Sequence, residues 1–325
     1  MVTDTVDMLM HITIIPIFNQ ELRKLQRSFL ERKQNDIAQP EEEAWLYEIN
    51  ARQSLFKIDY AEIWRYRDLL RLFVRRDIVA TYKQTILGPL WYLIQPLFTS
   101  VIFTLVFNNI AMINTGGAPP FLFNLAGITL WNYFTHCLTT SSNTFATNAA
   151  VFSKVYFPRL IAPLSQAISG LVKLGVQLFI FFAFYLYFIL NGSEVLPNAT
   201  IWYFPILILN MAILGLGLGM IISSITTKYR DFRILLGFAT SLLMYVSAVM
   251  YPIEEVSNSA TIGNYDWVVK YNPMAILIEA YRYITLGEGL FEWSLLSYCM
   301  LLSLVLFFIG LLIFNKTGRT FIDTV

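Results

Sequence analysis

Between Lys83 and Lys154 the chain carries no Asp, Glu, Lys or Arg. A water-soluble fold has no use for so long an uncharged stretch, whereas a bilayer core demands one of about 20 residues per helical crossing. The run is too long for one crossing. A polar turn, Asn114-Thr115-Gly116-Gly117-Ala118-Pro119-Pro120, divides it and predicts spans near 88–111 and 121–142. Later apolar runs predict spans at about 162–190, 201–224, 234–252 and 294–314. Lipid offers no partner to an unpaired backbone amide, so each span must be helical. Composition agrees: 56% of the 325 residues are hydrophobic and 14% charged, against about 25% charged in soluble domains. The expected fold is an all-α polytopic membrane protein with six transmembrane helices.

Orientation follows from where Lys and Arg fall. Arg65, Arg67, Arg71, Arg75, Arg76 and Lys83 precede the first span, and Lys154 and Arg159 follow the second. Lys228, Arg230 and Arg233 follow the fourth, and Lys316 and Arg319 the sixth. The intervening loops are uncharged (112–120), carry only Glu194 (191–200), or are net acidic (253–293). Every basic loop therefore lies on one side, and both termini are expected in the cytoplasm. The first residues carry Asp4 and Asp7 with no basic stretch ahead of an apolar one, so insertion is expected to be directed by the first true span.

Four zones are expected: a cytoplasmic extension over 1–60, an amphipathic helix over 61–83, the membrane domain over 84–315 and a tail over 316–325. In the amphipathic zone Ile63, Tyr66, Leu70, Phe73 and Val74 recur at helical spacing, with Arg65, Asp68, Arg71 and Arg75 opposite. Such a helix, with Trp64 beside its arginines, suits the membrane surface; an ordinary helix packed on protein has the same pattern. The segment 253–293 lies outside yet holds an apolar stretch, Met274 to Leu286, opened by Asn272-Pro273 as N-cap and first-turn pair. Too short and too charged to cross, it predicts an external re-entrant or surface-lying helix pair.

The remaining chemistry is sparse. No G-x-x-x-x-G-K-[ST] occurs, so the chain has no P-loop. His11 and His136 have no metal-ligand spacing, and a formal charge of +1 gives no basic surface for nucleic acid. Cys137 and Cys299 fall in apolar runs and read as buried thiols. Gly215 and Gly219 form a small-xxx-small pair suited to close helix packing.

Residues 81–107, from Thr81-Tyr82-Lys83-Gln84-Thr85-Ile86-Leu87-Gly88-Pro89-Leu90-Trp91 through Gln95-Pro96 to Phe107, resemble the opening span of type-2 ABC exporter permeases for polysaccharides. Lys154-Val155-Tyr156-Phe157-Pro158-Arg159 is similar to the family's turn after span two, and Tyr229-Arg230-Asp231 to its turn after span four. Tyr271-Asn272-Pro273-Met274 with Glu279 and Arg282 resembles its external re-entrant region, and Phe321-Ile322-Asp323 its C-terminal end. The resemblance covers about 60–325.

It implies a homodimer in a bacterial cytoplasmic (inner) membrane, paired with two copies of a separate ATPase that binds the ATP and Mg. No cofactor is then expected in this chain, which is itself no enzyme. The cargo would be a lipid-linked polysaccharide of O-antigen, capsule or teichoic acid type. Lys154, Tyr156, Pro158, Arg159, Lys228, Tyr229, Arg230 and Asp231 are candidates to receive the ATPase stroke, or serve as topogenic charge alone. Arg71, Arg75, Arg76 and Lys83 are candidates to hold the cargo's pyrophosphate, because guanidinium groups pair bidentately with phosphate oxygens; ordinary lipid headgroups would suit them equally.

Trp91, Tyr92, Trp131, Tyr133, Tyr245 and Tyr251 could line a glycan path, or form an interfacial aromatic belt. Lys173 falls well inside span three, where a central Lys is unfavourable by about 2.5–3.5 kcal/mol. It either faces the lumen or a second copy and meets an anion, or snorkels toward the cytoplasm. Competing functions are an ABC exporter of a drug or small lipid, an ion-gradient flippase and a membrane glycosyltransferase. The flippase would show internal repeats and charged midplane sites; the transferase would show clustered acids or histidines at the membrane face.

Overall fold

A computed structural model describes residues 64–83, 88–155, 157–229, 231–258 and 265–321, together with Ser28. Two units divide the chain, Met1–Gln53 and Ser54–Val325. The expected extension over 1–60 lies outside the described residues apart from Ser28, and the account below concerns the second unit.

Among the described residues every regular element is a helix. In order they are α1 (Arg67–Tyr82), α2 (Trp91–Phe103, continued by the wider π-turns Thr104–Ile110), α3 (Pro120–Ser142), α4 (Thr144–Phe152) and α5 (Ile161–Leu190). Then follow α6 (Phe204–Thr226, entered by a 3-10 turn over Ala199–Tyr203), α7 (Phe232–Val246), α8 (Ile253–Asn258), α9 (Asp266–Lys270), α10 (Pro273–Leu286) and α11 (Trp293–Phe321).

Among the described residues four stretches are long and apolar enough to cross a membrane: Trp91–Ile110, Ile161–Leu190, Ala199–Thr226 and Trp293–Arg319. The other two expected spans are helices that differ in one respect each. Over 121–142 the helix α3 has 23 residues, but Asn124, Thr129, Asn132, Thr135 and His136 make it polar. Its environment is protein: α2, α5, α6 and α10 all pack on it. Near its N-terminal end the Asn124 amide donates to Asn108 Oδ1 at 2.8 Å and Thr104 Oγ1 at 3.1 Å on α2. Over 234–252 the helix α7 has 15 residues and stops at Val246. Side chains of the α10 region take the carbonyls beyond that point. Asn272 Nδ2 donates to Val246 O, and Arg282 donates to Ala248 O at 2.8 Å and Val249 O at 2.6 Å. Ala248 itself turns to φ +50.

The final helix continues into the segment expected to be a polar tail. α11 runs to Phe321, so Lys316 and Arg319, expected in a tail from 316, sit on its closing turns. Cations there oppose the negative end of the helix dipole.

α6 lies at the centre, packed against α3 and α11. A Cβ on Gly215 would approach Cys137 Cβ to 2.8 Å, and one on Gly217 would approach the Phe307 backbone nitrogen of α11 to 2.7 Å. A Cβ on Gly219 would fall 2.8 Å from the Leu138 carbonyl oxygen, so the small-xxx-small pair Gly215 and Gly219 brings the α6 and α3 backbones together. Cys137 and Cys299 are fully buried free thiols.

α10 forms as its first two residues dictate. Asn272 accepts from the Met274 N–H at 3.0 Å, Pro273 occupies the first turn, and Gly287 at φ +80 closes the helix. Asn272→Ala removes the cap and the amide bonds to Val246 O and Ser247 Oγ. The expected loss is about 2 kcal/mol, read as a lowered thermal midpoint of the purified chain in detergent.

Candidate functional site

The turns after α3 and after α6 face the same end of the bundle and are joined at their roots, where the Thr226 hydroxyl is shared between Ser223 O at 2.9 Å on its own helix and Ser142 O at 3.2 Å. Lys154, Lys228, Tyr229 and Asp231 are exposed, and the Lys228 ammonium lies 5.2 Å from the Tyr229 ring centroid. Tyr156 and Arg230 lie outside the described residues. Pro158 and Arg159 are half-buried. The Arg159 guanidinium closes on α11, where a Cβ at Gly318 would fall 2.5 Å from Nη1. Arg159 thus supports the last turns of α11 from its flank. Between these residues Phe157 is buried, 5.6 Å from the Phe73 ring and 5.5 Å from Phe152.

Phe73 is fully buried, so protein meets part of the apolar face of α1, which packs along α5. The opposite face keeps Arg71 and Arg75 exposed; Arg71 makes an open pair with Asp68 at 3.3 Å. Lys83 is exposed as well. Arg76 is committed elsewhere. It lies 4.4 Å over the Phe73 ring, pairs with Asp77 at 2.8 Å and reaches Asn148 Oδ1 at 3.5 Å. Of the four cations expected to meet phosphate, three are open to do so.

A cavity of about 230 Å³ lies between α1, α2, α3 and α5, lined by Asp77, Tyr92, His136, Gln166, Ser169 and Lys173 among others. Lys173 Nζ stands 3.5 Å from His136 Nδ1 and 5.0 Å from the Tyr92 ring centroid. Because Asp77 of α1 shares this cavity, Lys173 sits at the level of α1's charges and not at the apolar centre of α5. Leu174 to Leu190 are free of charge and span about 25 Å at 1.5 Å per residue. Lys173 therefore lines a cavity between helices of its own protomer. The sequence holds a signal for it: Gln166, Ser169 and Lys173 fall at i, i+3 and i+7 on one helix face.

The aromatic candidates separate by exposure. Trp131 and Tyr133 are 5% and 3% exposed, so their ring faces are spent on neighbouring side chains, Phe134 among them at 5.5 Å. Trp91 and Tyr245 are half-exposed, on α2 and α7. Tyr92 turns to the Lys173 cavity, and Tyr251 donates its hydroxyl to Tyr245 O at 2.6 Å.

At the opposite end of the bundle α10 ties several loops together. Glu279 and Arg282 form a buried ion pair at 2.9 Å, and the guanidinium lies 3.5 Å over the Phe123 ring. Asn198 Nδ2 donates to Tyr283 O at 2.8 Å, and Glu288 Oε1 accepts from the Gly117 N–H at 2.8 Å. Sequence reasoning misses Glu288, since nothing local marks a carboxylate that closes a loop from so far along the chain. Among the described residues no three His, Cys, Asp or Glu side chains gather as metal ligands would.

Residues 68–286 match the ABC-2 type transporter family. The chain is 24% identical over 256 residues to an O-antigen export system permease protein, RfbA, of Klebsiella pneumoniae, covering 79% of this chain and 94% of that one. It is 23% identical over 264 residues to the RfbA of Myxococcus xanthus, covering 81% and 98%. It is 24% identical over 252 residues to the capsule polysaccharide export inner-membrane protein CtrC of Neisseria meningitidis serogroup A, covering 75% and 89%.

Proposed function

The chain belongs to the ABC-2 type transporter family, and from that membership we propose that it is the membrane-spanning subunit of an ATP-driven exporter of lipid-linked polysaccharide. The observation that carries the cargo class is similarity along nearly the whole length of permeases named for O-antigen and capsule export. A drug or small-lipid cargo and an ion-gradient flippase have no such support.

In this reading six helices cross the inner membrane, α2, α3, α5, α6, α7 and α11, with both termini in the cytoplasm and α10 re-entrant from outside. Two copies enclose the path, and two copies of a separate ATPase bind the ATP and Mg, leaving this chain without a cofactor. The distribution of packing supports the arrangement. α3, α6 and α11 are locked through glycines, whereas α2 and α7 are little covered by their own protomer: Phe98, Ile110, Ile234 and Phe238 are 63–80% exposed. A stroke on either cytoplasmic turn passes to both through the Thr226–Ser142 bond and moves α3 and α6 as one body. α2 and α7, held by fewer contacts, are the elements free to part. Trp91 and Tyr245 on those helices, rather than Trp131 or Tyr133, then face the glycan.

Lys154 and Lys228 offer the exposed charge for the ATPase. Lys154→Glu combined with Lys228→Glu is expected to weaken ATPase binding about ten-fold at low salt and less at high salt, measured by surface-immobilised binding in detergent. Deleting the gene tests the cargo: surface polysaccharide is lost and the lipid-linked form accumulates inside. Unchanged surface polysaccharide refutes the assignment.

A further inference from the structure

We propose that the cavity between α1, α2, α3 and α5 is a binding site for a lipid-borne phosphate, with Lys173 as its cation and His136 as the residue that positions Lys173. The shared chemistry is a phosphate ester on an apolar tail; a resident anionic phospholipid and the pyrophosphate of a lipid-linked cargo are its two sources. Only the second source rests on the export reading.

Four observations converge. First, Lys173 is half-buried with an imidazole nitrogen and a ring face as its contacts, and among the described residues no carboxylate lies within salt-bridge distance of it. A partly desolvated ammonium without a counter-ion is the less stable for it. Asp77 lines the cavity too, but Arg76 pairs with it at 2.8 Å, so the wall keeps the positive charge of Lys173.

Second, polar groups are free to serve a ligand. His136 turns its Nε2 edge against α5 at Gly170, leaving Nδ1 as the acceptor from Lys173. One ammonium N–H is thereby fixed and two remain for the cavity. Gln166 lines the cavity as well, and the Nε2 of its amide is a group there able to donate to a phosphate oxygen.

Third, the volume of about 230 Å³ is many times the roughly 10–15 Å³ that a single water requires. Fourth, the rim is apolar. Ile78, Ala80 and Val172 edge the cavity, and Val172 is 38% exposed beside Val79 at 43% and Leu171 at 42%. A free phosphate would gain nothing from such a rim, whereas a lipid tail would lie along it with its head inside.

The test uses the full chain in neutral detergent and native mass spectrometry, titrated with a polyprenyl pyrophosphate, with phosphatidylglycerol and with diacylglycerol. Both anionic lipids are expected to be retained and diacylglycerol lost. Lys173→Met should weaken both by ten-fold or more, His136→Phe by a smaller factor, and Lys173→Arg should restore binding. Lys270→Met on α9 should leave it unchanged. Tighter retention of the pyrophosphate identifies the cargo as the source; tighter retention of phosphatidylglycerol identifies a resident lipid. Lys173→Gln, which keeps a polar group in the cavity, replaces Lys173→Met should the latter fail to purify. Wild-type binding by the Lys173 variants, or equal retention of diacylglycerol, overturns the proposal. Export is not the readout, so failure here leaves the export reading to its own test.

Discussion

Arg282→Met is expected to leave almost no folded protein after detergent extraction. The side chain is completely buried and serves the Glu279 carboxylate, the Ala248 and Val249 carbonyls, the Phe123 ring and, at 3.5 Å, the Tyr251 carbonyl. Removing one member of a buried ion pair costs about 3–5 kcal/mol, because the partner stays buried and unpaired. Two orphaned carbonyls add about 1–3 kcal/mol each. That sum is comparable with the whole stability of many domains, about 5–15 kcal/mol. Arg282→Met with Glu279→Met relieves the stranded charge but not the carbonyls, so it should fall between the wild type and the single variant. Arg282→Lys should recover little, since an ammonium cannot span two carbonyls and a carboxylate as the planar fork does. Monodisperse yield and thermal midpoint order the four proteins. A stable Arg282→Met would mean that α10 is not what ends α7.

Gly219→Leu is expected to part α6 from α3, while Gly175→Leu passes unnoticed. A Cβ at Gly219 would lie 2.5 Å from Ser141 Cβ and 2.8 Å from the Leu138 carbonyl oxygen, and the second obstacle is backbone. The leucine cannot be accommodated by a rotamer change, so α3 must shift. Overpacking of this kind costs about 1–3 kcal/mol, and more where backbone blocks the way. A Cβ at Gly175 would meet nothing within 4 Å in its own protomer, and Leu is the better helix former by about 0.8 kcal/mol. Equal thermal midpoints for the two variants would show that close packing of α3 on α6 does not hold the bundle. Since Thr226 and Ser142 lie just beyond this crossing, the Gly219 variant should also lose any coordinated response of the turns after α3 and α6.

Features set by local sequence are legible in the order of residues alone. The apolar runs place α5 within one residue of its ends and α6 within three, and Asn272-Pro273 places the start of α10. Features set by distant partners are not legible in this way. The stop of α7 at Val246 depends on Arg282, far along the chain. The depth of Lys173 depends on α1 lying beside α5, which hydropathy does not reveal. Trp131 and Tyr133 are indistinguishable by residue type from Trp91 and Tyr245; only packing decides which rings are buried. Arg159 reads as a basic loop residue, yet Gly318 of α11 receives it. The i, i+3, i+7 row of Gln166, Ser169 and Lys173 is present in the sequence and points to the cavity.

Vectorial movement of cargo tests the account most directly. Inverted membrane vesicles holding this chain and the proposed partner ATPase expose the cytoplasmic face to added lipid-linked polysaccharide. With ATP the glycan should become protected from an externally added glycosidase, and with a non-hydrolysable analogue it should stay accessible. Hydrolysis of ATP with no protected glycan would contradict the proposal that this chain carries lipid-linked polysaccharide across the bilayer.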